Sequence, residues 1–180
     1  MNPRGCKMHP RRNRHKTEHF ERIYEMIKVL FVCHGNICRS AMAEIIFNNM
    51  IEEMGFEDVC SCDSAATSRE EIGNTMYPPA VRELAMHGME PNGHRARQIR
   101  PSDYDEFDFL IGMDNENIRN MERMWPDDNG KKIRLLMDYT SRPRTVADPW
   151  YTDNFSVTYD DLVEGIECFL DSEDFRDYNK

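Results

Sequence analysis

The sequence has no long apolar stretch: no run approaches the roughly 20 residues that a membrane-spanning helix needs, so no membrane partner is expected. Positive charge is scarce beyond the first 25 residues. That opening segment holds seven Lys or Arg against three acidic residues, a net of +4, so a chain of net charge −10 carries −14 over the remainder. Nucleic acid is a poor partner for such a surface, because phosphate backbones are bound by basic patches. Any anion must therefore be recognised locally. Cysteine is absent between Cys62 and Cys168. Cys60 and Cys62, two apart and so on one side of a strand, are too close for a strain-free disulfide and have no second pair with which to hold zinc. No metal and no cofactor are expected. Six cysteines without a secretory signal fit a reducing, cytoplasmic setting. There is no internal repeat, and no low-complexity tract beyond the opening segment. A length of 180 residues fits one domain with a sizeable core.

Residues 1–25 contain three of the six histidines and almost no apolar periodicity. A disordered basic N-terminal extension is expected there, ahead of a folded domain over 26–176. The segment lacks both the apolar core of a signal peptide and an amphipathic repeat, so it reads as a leader rather than as a basic arm for an acidic partner.

What the chain does have is concentrated between residues 27 and 54. Ile27-Lys28-Val29-Leu30-Phe31-Val32 is β-branched and aromatic and short enough for a central strand, while Met42, Ile45, Ile46 and Met50 repeat at helical spacing. Between them lies Cys33-His34-Gly35-Asn36-Ile37-Cys38-Arg39-Ser40, a polar loop joining a strand's end to a helix's start, with Ser40 as a capping residue. Successive N–H groups of such a loop, together with the free N–H groups of a first helical turn, form a concave anion site. Gly35 lets the backbone come close and Asn36 tolerates a left-handed conformation. The same positive potential favours a thiolate at Cys33, and Arg39 can return over the loop to hold two oxygens of a tetrahedral oxyanion. Spacing alone proves little, since Cys6 and Arg12 share it; around Cys6 there is no strand, no periodic helix follows, and Pro10 interrupts the loop.

Further along, Val59 to Ala65 reads as a second strand, 66–77 as a polar loop, and Pro78 to Met86 as a helix stopped by His87-Gly88. A third strand is expected over 107–113, a helix over 115–125, a fourth strand over 132–137 and a last helix over 159–170. Strands alternating with helices predict an α/β fold: a single domain with a four-stranded parallel twisted sheet flanked by helices on both faces. Its ligand belongs at the C-terminal ends of the strands, where Cys33 lies.

Val32-Cys33-His34-Gly35-Asn36-Ile37-Cys38-Arg39-Ser40 resembles the phosphate-binding signature of the low-molecular-weight protein tyrosine phosphatases. Asp63-Ser64-Ala65-Ala66-Thr67-Ser68, Glu71-Ile72-Gly73-Asn74, His94 to Ile99, Met113-Asp114 and Val146 to Tyr151 agree in the same order. The resemblance implies a flavodoxin-like, phosphotyrosine phosphatase I-like fold and a monomeric enzyme hydrolysing phosphotyrosine in proteins, or aryl phosphates, through a phosphocysteine. It implies that Cys33 is the nucleophile, Arg39 the phosphate clamp and Asp148 the general acid and later base, although an Asp-Pro pair by itself is usually a turn initiator. It also implies that Trp150 and Tyr151 wall the pocket, that Asn36, Ser40, Ser64 and His94 hold the loop, and that Cys38 can protect Cys33 through a reversible disulfide; the plainer reading of Cys38 is core packing. His34 and His87 read as satisfied surface residues. Three departures stand out: Ala41 replaces the usual Pro, Trp150 replaces the first of two tyrosines, and Glu70 takes a rim position commonly held by Trp or Tyr, where a carboxylate disfavours acidic substrates. Arginine phosphatases share the architecture but typically carry Thr at the position of Ile37. Thioredoxin-coupled arsenate reductases need further cysteines after the second helix, and a silent oxyanion-binding module needs neither nucleophile nor acid.

Overall fold

The computed structural model describes residues 26–91 and 93–177; the basic opening segment lies outside the described residues. The order of elements is β1 (Ile27–Cys33), α1 (Arg39–Glu53), β2 (Cys60–Ala66), α2 (Pro78–Met86), α3 (Asp103–Glu106), β3 (Phe109–Gly112), α4 (Asn115–Met124), β4 (Ile133–Leu135), a 3-10 turn (Leu136–Tyr139), α5 (Pro149–Thr152), α6 (Phe155–Asp171) and α7 (Glu173–Arg176). The four strands form one all-parallel sheet in the order β2-β1-β3-β4.

β1 is central and, from Val29 on, buried on both faces, which is why its sequence is continuously apolar there rather than alternating. Val29, Phe31 and Cys33 join a core shared with α1, α2 and α6, while Leu30 and Val32 pack on Leu110, Met121 and Ile133 under α4 on the other face. α1 is buried from Arg39 to Phe47, caught between the sheet and α6. α2 is bounded as its sequence demands, by Pro78 and Pro79 at its start and by Gly88, at φ 77°, just past its end.

Three differences from the sequence reading have local causes. The fourth strand stops at Leu135 because Leu136 and Met137 turn inward beneath α6. Gly165 of α6 makes room for them: a Cβ there would come within 2.7 Å of Leu136 Cγ. The last helix starts at Phe155, earlier than expected, with Asn154 accepting from the Val157 N–H, because Ser156 and Thr158 dilute the apolar pattern of its first turn. The short helices α3, α5 and α7 have too few residues to show a period at all.

No helix among the described residues is long and apolar enough to cross a membrane.

Candidate active site

The loop after β1 lies at the C-terminal edge of the sheet. Cys33, the last residue of β1, is almost fully buried, and its Sγ accepts from the Asn36 N–H at 3.2 Å. Ser40 Oγ lies 3.0 Å from the same sulfur. This corrects the reading of Ser40 as a cap: the residue at the helix start is Cys38, with no side-chain cap, and Ser40 is turned inward. Because Asn36 Nδ2 donates to Ser40 Oγ at 2.9 Å, the hydroxyl proton is left for Cys33 Sγ or for the Ala65 carbonyl at 3.5 Å.

Asn36 holds the loop's bend. It is wholly buried at φ 58°, a left-handed conformation that disfavours most side chains. Its amide is fully used: Nδ2 also donates to Ser64 Oγ at 2.8 Å, and Oδ1 accepts from the Arg97 N–H at 3.0 Å. Its carbonyl accepts from His94 Nε2 at 2.7 Å. Behind these, Ser64 Oγ donates to Glu44 Oε2 at 2.6 Å, and His94 Nδ1 lies 3.5 Å from the same oxygen. Burial opposes a charge on His94, but the hydrogen bonds to Glu44 and to the Asn36 carbonyl outweigh it and hold its pKa above the ordinary histidine value.

Arg39 enters from the first residue of α1 and is nearly fully buried. One terminal nitrogen meets Asp114 Oδ2 at 2.7 Å and the other meets Asp148 Oδ2 at 2.7 Å. Burial disfavours its charge, yet Cys33, Asp148 and Asp114 together raise its pKa. Asp148 is the N-cap of α5: Pro149 sets the turn, and Oδ1 accepts from the Trp150 N–H at 3.0 Å, which leaves Oδ2 for the guanidinium. Asp114 does likewise at α4, capping it with Oδ1 and giving Oδ2 to Arg39. Two helix starts on different strands thus aim one carboxylate oxygen each at the same fork.

These groups line a cleft of about 530 Å³ with His34, Gly35, Asn36, Ile37, Cys38, Glu70, Glu71, Glu116, Trp150 and Tyr151. The aromatic pair is exposed; the Trp150 ring leans on Tyr77 with centroids 5.6 Å apart, and Tyr151 stands free of the body of the protein at 85% exposure. His34 is a rim residue whose Nε2 meets Glu70 Oε2 at 3.1 Å. His87 lies elsewhere, stacked on Tyr159. Cys38 is buried, and desolvation, helped by the charges of Cys33 and Asp148, pushes its thiol up to about 12. Cys60 and Cys62 are free thiols packed on the same side of β2; Cys62 Sγ donates to the Glu44 carbonyl and to Asn48 Oδ1. Ala41, in the place of a proline, is fully buried in the first turn of α1. Among the described residues no group of three or more His, Cys, Asp or Glu is arranged to hold a metal ion.

The residues expected at the site, from Cys33 through Ser40 with Ser64, His94, Asp148, Trp150, Tyr151 and Glu70, come together. Sequence reasoning missed Asp114, Glu44 and Arg97. Asp114 had a usable signal as a carboxylate just past a strand's C-terminal end. Glu44, four residues after Ser40, is a charged residue amid Ala, Met and Ile on a buried helix. Arg97 gives none, because its part is played by a backbone N–H while its side chain pairs with Asp63 and Asp103.

Residues 28–175 match the family described as low molecular weight phosphotyrosine protein phosphatase. A Bacillus subtilis protein named low molecular weight protein-tyrosine-phosphatase YfkJ is 40% identical over 149 residues, covering 82% of this chain and 96% of the relative. The crystal structure of YfkJ superposes with a TM-score of 0.78 at 39% identity, over 82% of this chain and 94% of that one. The low molecular weight phosphotyrosine protein phosphatase of Schizosaccharomyces pombe is 38% identical over 151 residues, 81% of this chain and 96% of the relative. A structure described as a Drosophila arginine phosphatase superposes with a TM-score of 0.74 at 32% identity, over 81% of this chain and 96% of that one. The chain belongs to the low molecular weight phosphotyrosine protein phosphatase family.

Proposed function

We propose that the protein hydrolyses phosphotyrosine in proteins, and aryl phosphates, by two in-line displacements at phosphorus. In the first, Cys33 Sγ attacks, the bond from phosphorus to the phenolic oxygen breaks, and Asp148 gives its proton to the departing oxygen. In the second, Asp148 takes a proton from water as its oxygen attacks the phosphocysteine; the P–S bond breaks, and inorganic phosphate and the thiolate are released. Arg39 and the N–H groups of the loop stabilise the equatorial oxygens. The Asn36 N–H donates to Sγ and the Ser40 hydroxyl lies within reach of it, so both can serve as donors to a departing thiolate.

The observation that carries this reading is the convergence on one cleft of a thiol in an N–H-lined loop, a buried guanidinium and an Asp at a proline turn. Asp114 is assigned here as a positioning residue, holding the Arg39 fork in its plane. A monomeric, cytoplasmic enzyme is the form that the family likeness supports. The structural likeness to a Drosophila arginine phosphatase supports a second reading, protein arginine phosphatase; the apolar Ile37 in the loop speaks for the tyrosine ester.

The test is metal-free hydrolysis, with reductant, of an aryl phosphate, a phosphotyrosine peptide and phosphoarginine by the wild type and Cys33→Ser. Phosphate release from the phosphotyrosine peptide by the wild type and none by Cys33→Ser is expected. Release from phosphoarginine alone moves the chain to the second reading, and full activity in Cys33→Ser refutes the mechanism.

A further inference from the structure

The mouth of the cleft differs in charge from its floor. Because β1 lies between β2 and β3, the segments that follow those two strands flank the phosphate loop on opposite sides. The β2 side supplies Glu70 and Glu71, and the β3 side supplies Glu116 in the first turn of α4; all three line the cleft. The segment after β4 completes the mouth with exposed Trp150 and Tyr151.

Two of these residues are held against the loop itself, one by its carboxylate and one by its stem. Glu70 Oε2 meets His34 Nε2 at 3.1 Å. The stem of Glu71 lies over Gly35, where an added Cβ would come within 3.3 Å of its Cγ, and its Oε2 accepts from Asn74 Nδ2 at 2.6 Å. Of the lining residues, only His34 and Arg39 can carry positive charge; the first faces Glu70, and the second is buried against Asp114 and Asp148. Arg69 and Arg119 are exposed neighbours in sequence but do not line the cleft. A phosphate dianion approaching this mouth, on a domain of net −14, is repelled until something offsets the field.

We propose that Glu70, Glu71 and Glu116 select phosphorylated protein segments with Lys or Arg on both sides of the phosphorylated residue, and that Trp150 and Tyr151 offer ring faces to one of those cations. This rests on the phosphatase reading above. A chain crossing the mouth from the β2 side to the β3 side meets a carboxylate on each flank, so one basic residue before and one after the phosphorylated position is the pattern that fits. The contacts are solvent-exposed, so the selection is graded and sensitive to salt.

The experiment measures kcat/KM for two phosphotyrosine peptides of equal length, one flanked by Lys and the other by Glu, with an aryl phosphate as reference. The wild type is expected to favour the Lys-flanked peptide by about tenfold at low salt, the ratio shrinking toward one as salt approaches about 1 M. Charge reversal in the triple variant E70K/E71K/E116K should invert the preference. Should that variant not fold, Glu70→Gln and Glu116→Gln singly should each lower the ratio. A wild-type ratio near one, a ratio insensitive to salt, or an unchanged ratio in the variants overturns the proposal. So does cleavage of the aryl phosphate with neither peptide accepted, whereas no Cys33-dependent hydrolysis of any of the three removes the phosphatase reading and this selection with it.

Discussion

Two buried regions meet at α1 and are built by opposite rules. On one side, Phe169 of α6 is fully enclosed by rings: Phe109 at 5.1 Å, Phe175 at 5.2 Å, Tyr139 at 5.0 Å and Phe47 at 6.4 Å between centroids. On the other, Asn36, Ser40 and Ser64 are just as buried but touch through hydrogen bonds of 2.8 and 2.9 Å, backed by Glu44, His94 and the Arg97 N–H. The aromatic region gains free energy from area and tolerates small shifts. The polar region gains little net free energy, because each bond replaces one to water, but it fixes direction. One holds the domain together, and the other holds the loop in a bend that it would not keep alone.

Four predictions test that comparison. The largest effect is expected from Asp148→Ala, which lies outside both regions: a loss of about 10²–10⁴ in kcat, greatest for substrates with poor leaving groups, together with a lower urea midpoint from the lost α5 cap and the lost Arg39 partner. Equal loss across leaving groups would remove it as the acid.

Phe169→Ala is next, destabilising by about 3–5 kcal/mol in chemical denaturation while the folded fraction keeps its kcat. A fall in kcat at full folding would mean that the aromatic region shapes the loop after all.

Asn36→Ala should cost rate as well as stability. It strands the Arg97 N–H, takes from the Ser64 and Ser40 oxygens the amide that donates to them, and puts Ala at positive φ, costing about 2 kcal/mol and about 10²-fold in kcat. Asn36→Gly separates the causes, since it relieves the backbone and not the network. It should regain part of the stability and none of the rate.

The smallest effect is the titration of His94. Its folded pKa is raised, so its charged form stabilises the fold fully below the unfolded value of about 6.5, and that share is lost as pH rises through the folded value. The urea midpoint should therefore fall as pH rises above about 6.5 in the wild type and fall less in His94→Asn. An equal decline in both would place the effect on other groups.

Much was legible from residue order alone. The apolar run of 29–33, the proline-in and glycine-out bounds of α2, and the Cys33-to-Arg39 loop between strand and helix are local features, and local sterics and hydrogen bonding write them into adjacent residues. The alternation of strands and helices was enough for a parallel sheet with its site at the strand ends. Only the tertiary structure decided that Ser40 faces the thiol instead of capping a helix, that Asp114 shares Arg39 with Asp148, and that Glu44 closes the network behind Ser64 and His94. Those pairings join residues up to 109 positions apart, Arg39 and Asp148 being the farthest. No local pattern encodes which carboxylate meets which guanidinium, because that depends on the strand order β2-β1-β3-β4, which brings three strand ends together around the loop.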